Sequence, residues 1–97
     1  MAKRVVWSER AQKERYEILS YWNRRNKSRI YSIKLNKLFL ERIENATKMP
    51  EAGIPSEDPH LRIIIVRDYS IYYDIYQSHI EILTIWDNRR NPKSFEL

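Results

Sequence analysis

Apolar residues recur at two different periods along this chain, helical in the first half and alternating in the second. Arg4-Val5-Val6-Trp7 is short, β-branched and aromatic, and reads as a strand. Ser8 follows in the position of a helix N-cap, with Glu9 in the first turn. From Ser8 to about Arg25, Ala11, the stem of Arg15, Ile18, Leu19 and Trp22 recur at helical spacing, with Tyr21 beside them. Arg10, Lys13, Glu14 and Glu17 make the polar face. After a polar connection over Asn23 to Lys27, Ser28 can cap a second helix that reaches about Lys48, just short of Pro50. Its stripe is Tyr31, Leu35, Leu38 and Phe39, and Ile30, Ile33, Leu40 and Ile43 widen the apolar surface sideways. Such breadth suits a helix that touches both a sheet and the first helix.

The helical period then stops. Pro50, Gly53, Pro55 and Pro59 punctuate a linker with neither period. Three β-rich runs follow, Leu61 to Arg67, Ser70 to Tyr76 and His79 to Trp86, separated by intervals short enough for hairpins. Ile63 to Val66 is apolar on both faces and reads as a central strand, whereas Ile71, Tyr73 and Ile75 alternate with Tyr72, Asp74 and Tyr76. The predicted architecture is α+β: an N-terminal strand, then an antiparallel helical hairpin on one face of a mainly antiparallel sheet completed by a three-stranded C-terminal meander. At 97 residues the chain is expected to form one domain, 1–97.

Composition narrows the class. A 42% hydrophobic content, 12% aromatics and a single glycine exclude a low-complexity or disordered chain. No run approaches the roughly 18 apolar residues of a membrane span, and the basic start Met1 to Arg4 lacks the apolar core of a signal peptide, so a cytoplasmic protein without membrane contact is expected. The absence of cysteine excludes disulfides, thiolate metal sites and cysteine nucleophiles. The net charge of +5 is uneven: up to Lys48 there are 13 basic and 5 acidic side chains, and from Met49 onward 5 and 8. Arg24, Arg25, Lys27, Arg29, Lys34 and Lys37 form a run without an acid, suited either to an acidic partner segment or nucleic acid, or simply to solvation.

The chain offers little chemistry. His60 ends the proline loop and His79 stands at a hairpin turn, neither tied to a partner, and Glu51, Glu57 and Asp58 read as loop solvation. There is no metal-ligand spacing, no phosphate-cradling glycine loop and no nucleophile elbow, so no metal or cofactor is expected. The last strand runs into Asp87, Asn88, Arg89 and Arg90, which fixes two guanidinium groups at the end of a buried element. Asp87 can pair with either arginine or serve the turn. Trp86 reads as core or rim packing, or as a stacking platform.

The order of elements, the hairpin LRIIIVRDYSIYYDI from Leu61 to Ile75 and the terminal ILTIWDNRRNP together resemble the RelE/ParE superfamily of bacterial type II toxins, over nearly the whole chain. The resemblance implies one of two activities on one scaffold, messenger RNA cleavage on the ribosome or poisoning of DNA gyrase. RelE-like members use basic residues over the sheet and a C-terminal tyrosine. Here Ile63, Ile65, Ser70 and Phe95 stand near those places, and Arg89 alone falls on a RelE-type basic position. The chain is therefore expected to be closer to ParE: a growth inhibitor, of the kind that stabilises plasmids, that binds gyrase and is not a catalyst. Its target-binding residues would be Arg67, Trp86, Arg89 and Arg90. A cognate acidic antitoxin that folds on binding would cover Arg24, Arg25, Lys27, Arg29, Lys34, Lys37, Tyr72 and Tyr76, and DNA would be met only through that complex. The alternatives are a ribosome-dependent endonuclease in which Arg62, Arg67, Arg89 and Arg90 replace the missing lysines, and a nucleic-acid-binding or non-toxic relative.

Overall fold

A computed structural model describes residues 2–90, 95 and 97. Strand β1 (Arg4–Trp7) leads through Ser8 into helix α1 (Glu9–Asn26). Ser8 earns that junction twice over: its Oγ accepts the Ala11 N–H at 3.0 Å, and its hydroxyl donates to the Leu83 carbonyl at 2.8 Å. The cap therefore starts the helix and fixes it to the sheet, an effect of about 1 kcal/mol for the cap alone. Helix α1 ends at Lys27, whose left-handed backbone (φ 51°, ψ 37°) turns its N–H back to the Asn23 carbonyl. Helix α2 (Ile30–Lys48) starts one residue after the position Ser28 was expected to cap. Arg29 is the N-cap, and Ser28 still contributes by accepting the Ile30 N–H at 3.2 Å.

Helix α2 sends Leu35, Phe39, Ile43 and Ala46 into the core. The sideways breadth expected of it is not buried: Ile43 packs inside, while Ile30, Ile33 and Leu40 are exposed. The two helices meet at Trp22 and Tyr31, whose rings lie edge to face at 4.9 Å, and at the Ser32 hydroxyl, which donates to Asn23 Oδ1.

Among the described residues the sheet has five strands in the order β1-β5-β4-β3-β2, where β2 is Ile54–Pro55, β3 Leu61–Val66, β4 Tyr69–Ile75 and β5 His79–Asp87. Strand β1 runs parallel to β5, and every other pairing is antiparallel. The expected meander is present, and the register shift between Tyr72 and Tyr73 accommodates Leu83 as one extra residue of β5. Tyr69, Ile71 and Tyr73 of β4, with Ile64 and Val66 of β3 and Ile80, Ile82 and Ile85 of β5, form the buried layer with the helices.

Two sequence expectations change here. Ile63 to Val66 is not fully central, because its outer neighbour β2 is only two residues long and Ile65 is left exposed. The linker also has structure: a 3-10 turn over Pro50–Ala52 and then β2. It is held by side-chain donors from β3 and β4, which a search for periodicity cannot detect. The Tyr73 hydroxyl donates to the Pro50 carbonyl at 2.5 Å, and Arg62 Nη1 donates to the carbonyls of Glu51 and Gly53, each at 3.1 Å. Burial pushes the Tyr73 hydroxyl pKa up. A side chain at position 53 would collide with the Tyr73 hydroxyl and lie 3.0 Å from Arg62 Cβ, so glycine is needed for close approach.

Candidate functional site

A groove of about 580 Å³ runs along the part of β5 that β1 does not reach, between that strand and α1. Beyond Trp7, β5 has no strand on this side among the described residues, and Glu14 of α1 takes its place. Glu14 Oε1 accepts the Thr84 hydroxyl at 2.6 Å and the Ile85 N–H at 3.1 Å, and its other oxygen faces Arg10 Nε at 3.3 Å. A carboxylate thus satisfies a strand edge that would otherwise be a buried, unpaired backbone donor.

The floor of the groove is a tight polar network. Trp22 Nε1–H donates to Tyr69 Oη at 2.8 Å, and Arg89 Nη2 donates to the same oxygen at 3.4 Å. The Arg89 guanidinium lies 5.4 Å from the centroid of the Trp22 ring and 5.9 Å from that of Tyr69, within cation–π range. Asp87 grips it from the other side, accepting Arg89 Nε at 3.0 Å and Nη2 at 2.8 Å. That bidentate contact holds the Asp87 carboxyl below its ordinary pKa, against the effect of partial burial, and raises the Arg89 pKa further. Burial raises the Tyr69 hydroxyl pKa, and the Trp22 and Arg89 contacts offset part of the shift.

Of the residues proposed for target contact, the structure gathers Arg67, Arg89 and Arg90 at one end of the sheet. Arg67 is in the two-residue β3–β4 turn with a left-handed φ of 56°. That turn is tied to the end of β5, where the Asn88 N–H donates to the Asp68 carbonyl at 2.7 Å and the Ser70 hydroxyl to Asn88 Oδ1 at 2.9 Å. Trp86 is only 9% exposed and edge-packed by Phe95 at 4.8 Å, with the Arg90 guanidinium 5.9 Å from its ring. It is packing with an exposed rim, not a free stacking platform. Arg62 departs from the cluster: it points to the 50–53 segment as a clasp, so it is positioned to hold a loop and not a phosphate.

The basic run is dispersed. Arg24 lines the groove, Arg25 lies 5.7 Å from the Trp22 ring centroid, Lys27 closes α1 and Arg29 opens α2. Lys34 and Lys37 are exposed on α2, Lys37 facing Glu41 at 3.9 Å. Tyr72 is half-buried with Phe95 at 4.9 Å, and Tyr76 stacks on His79 at 4.6 Å. His79 therefore does have partners, including the Ser78 hydroxyl at 3.0 Å from its Nδ1. It begins β5 while the arginines follow its end, a separation of about 26 Å for eight extended residues. His60 sits at that same far end, its carbonyl accepting the Ile75 N–H at 3.0 Å. Neither imidazole can move a proton at the arginine cluster. Among the described residues no three His, Asp or Glu side chains converge to hold a metal, and no helix is long and apolar enough to cross a membrane.

Trp22, Tyr69 and Glu14 had no functional role in the sequence reading. Strand parity with Ile71 and Tyr73 could have placed Tyr69 inside. Glu14 was expected on the polar face of α1 and instead turns to β5, because it stands three residues after Ala11 and four before Ile18, on the apolar stripe itself.

Residues 5–92 match the family model described as the ParE toxin of the type II toxin–antitoxin system, parDE. No curated protein matches the chain. Among solved structures, a chain of the chromosomal ParDE toxin–antitoxin system from P. aeruginosa is similar over 87% of this chain and 94% of its own, at 19% identity and a TM-score of 0.73. That likeness bears on the fold, and the family match spans most of the sequence: the chain belongs to the ParE toxin family of type II toxin–antitoxin systems.

Proposed function

We propose that this ParE-type toxin arrests growth by binding DNA gyrase through the arginine end of the sheet, without turning over a substrate. The observation that carries the reading is the groove itself. Arg24 and Arg90 line its rim, Arg67 stands on the adjoining turn, and Arg89, just past the end of β5, is already committed to Asp87 and Tyr69. Cations over an aromatic floor supply attraction and buried area. Both histidines are at the opposite end, so no imidazole is at hand there for general acid–base chemistry. A cognate antitoxin in the cytoplasm, acidic and ordered on binding, would neutralise the protein by covering its basic and apolar surface, with Arg25, Lys27, Arg29, Lys34, Lys37, Tyr72 and Tyr76 as its contacts.

Purified protein should inhibit gyrase supercoiling, and the double variant Arg24→Glu/Arg90→Glu should need about tenfold more protein or greater for the same inhibition. Unchanged supercoiling together with cleavage of messages on stalled ribosomes would instead identify a ribosome-dependent endonuclease.

A further inference from the structure

Strand β1 covers only His79 to Ile82 of β5, and the rest of that edge, Leu83 to Asp87, opens into the arginine groove. The chain's own groups close most of it. The Ser8 hydroxyl donates to the Leu83 carbonyl at 2.8 Å, Glu14 Oε1 accepts the Ile85 N–H at 3.1 Å, and the Arg90 N–H donates to the Asp87 carbonyl at 3.0 Å. Ile85 and Asp87 stand opposite Ile71 and Tyr69 in the antiparallel ladder, and their contacts to Glu14 and Arg90 show that both turn their backbone groups away from β4. Two groups are left over. Among the described residues, the Ile85 carbonyl and the Asp87 N–H face the groove without a partner.

That pair has a direction. In a parallel ladder one residue donates to a carbonyl and accepts from the N–H two positions further along, whereas an antiparallel neighbour needs both groups of a single residue. An antiparallel chain must displace Glu14 or the turn at Arg90, but a chain running with β5, in line with β1, finds both groups free. The lining sets the sequence of such a chain. Helix α1 climbs beside β5, with Glu14 at Ile85 and Trp22 reaching Tyr69, the residue opposite Asp87. Ile18 and the 40% exposed Tyr21 follow Glu14 along the groove, and Arg24 lies beyond them. Glu14 and Asp87 already face Arg10 and Arg89, so the charges of the lining without an ion pair are Arg24 and Arg90 against Glu17. The geometry points to a docking site for an extended segment of the target protein, which runs parallel to β5 and places one backbone unit between Ile85 and Asp87. The residues on either side of that unit turn toward α1. The one before it is apolar and rests on Ile18 and Tyr21, and the one after it is a carboxylate that meets Arg24 and Arg90. The recognised pattern is apolar, any residue, acidic. A nucleic-acid strand fits less well, because its backbone offers no N–H to the Ile85 carbonyl. Only the identity of the target rests on the function proposed above.

The test is a nuclear magnetic resonance titration of the 15N-labelled full chain with a capped peptide of leucine, alanine and aspartate flanked by serines. The expected result is a saturable shift of the Asp87 amide and of the Arg24 and Arg90 side chains, with slowed hydrogen exchange at Asp87. Methylation of the alanine nitrogen, and separately reversal of leucine and aspartate, should each weaken binding about tenfold. Arg24→Gln should weaken it by a similar factor while the melting temperature holds. Unchanged exchange at Asp87 under saturating peptide, or equal affinity for either control peptide, would overturn the inference. The same shifts at lower concentrations of a single-stranded oligonucleotide would overturn it in favour of nucleic acid. Gyrase supercoiling is read on the same preparation: peptide binding without gyrase inhibition keeps the site and discards gyrase as its target, whereas inhibition that saturating peptide fails to relieve overturns the site and keeps gyrase.

Discussion

The indole N–H of Trp22 donates to the hydroxyl oxygen of Tyr69 across 2.8 Å, joining the C-terminal part of α1 to the start of β4 under the guanidinium of Arg89. Both rings also sit in the wall of the core, Tyr69 edge to face with Phe39 at 5.7 Å. Tyr69→Phe keeps the ring and removes the acceptor. The substitution should cost about 1–2 kcal/mol, since a half-buried indole donor loses its partner. Urea denaturation measures it, and an unchanged midpoint would show that water replaces the hydroxyl.

Glu14 carries a larger share. Replacing it with alanine leaves the Ile85 N–H and the Thr84 hydroxyl without their shared acceptor, and Thr84 is fully buried. The expected loss is about 2–4 kcal/mol. Glu14→Gln, which keeps an acceptor oxygen, should lose less than half as much. Equal losses would place the effect on charge and not on hydrogen bonding.

Gly53 admits no side chain without moving Tyr73 or Arg62. Gly53→Ala should therefore destabilise by about 1–3 kcal/mol. In the double variant Gly53→Ala/Tyr73→Phe much of that cost should vanish, because the colliding hydroxyl is gone. A strictly additive double-mutant cycle would contradict the steric account.

Lys27 gives a gain instead of a loss. Its left-handed backbone at the end of α1 suits glycine, so Lys27→Gly should stabilise the fold by about 0.5–1 kcal/mol. A higher melting temperature is the expected readout, and a lower one would mean that the lysine side chain contributes contacts of its own.

The Asp87–Arg89 pair predicts a pH dependence. The Arg89 side chain holds the folded Asp87 carboxyl below its unfolded value. A depressed acid adds stability above the unfolded pKa, near 4, and that contribution is lost as pH falls through the folded value. Wild type should therefore exceed Arg89→Gln by up to about 1 kcal/mol at pH 7, modest because the pair is open to solvent on one side. The gap should narrow as pH falls below 4. A gap that persists into strong acid would assign it to the cation–π contacts alone.

Periodicity exposed most of the fold in the sequence. Ser8, the α1 stripe and the alternation of Ile71, Tyr73 and Ile75 each encode local geometry, and the structure places them accordingly. The family signature in the final strand was equally legible. Less accessible were features made by side chains distant in sequence. Arg62 looked like a free cation until Glu51 and Gly53 presented their carbonyls. For Asp87 the sequence left open a pairing with Arg89 or Arg90 or a role in the turn; it grips Arg89 from the end of β5, and Tyr69 and Trp22, which nothing in the sequence tied to that arginine, converge on it from the start of β4 and from α1. A linear reading supplies the types of such residues but not which of them meet, and the division of the arginines into struts and free charges depends on that meeting.

The parallel pairing of Arg4 with His79 has a consequence for synthesis on the ribosome. The two helices can form as soon as they emerge, but the first strand waits with an unmatched edge until β5 has been made. During that interval Val5 and Trp7 have no strand to join, and the toxin cannot complete its core. Closure of the core thus waits on β5, and the bare first strand leaves an interval in which a partner can meet the unfinished fold.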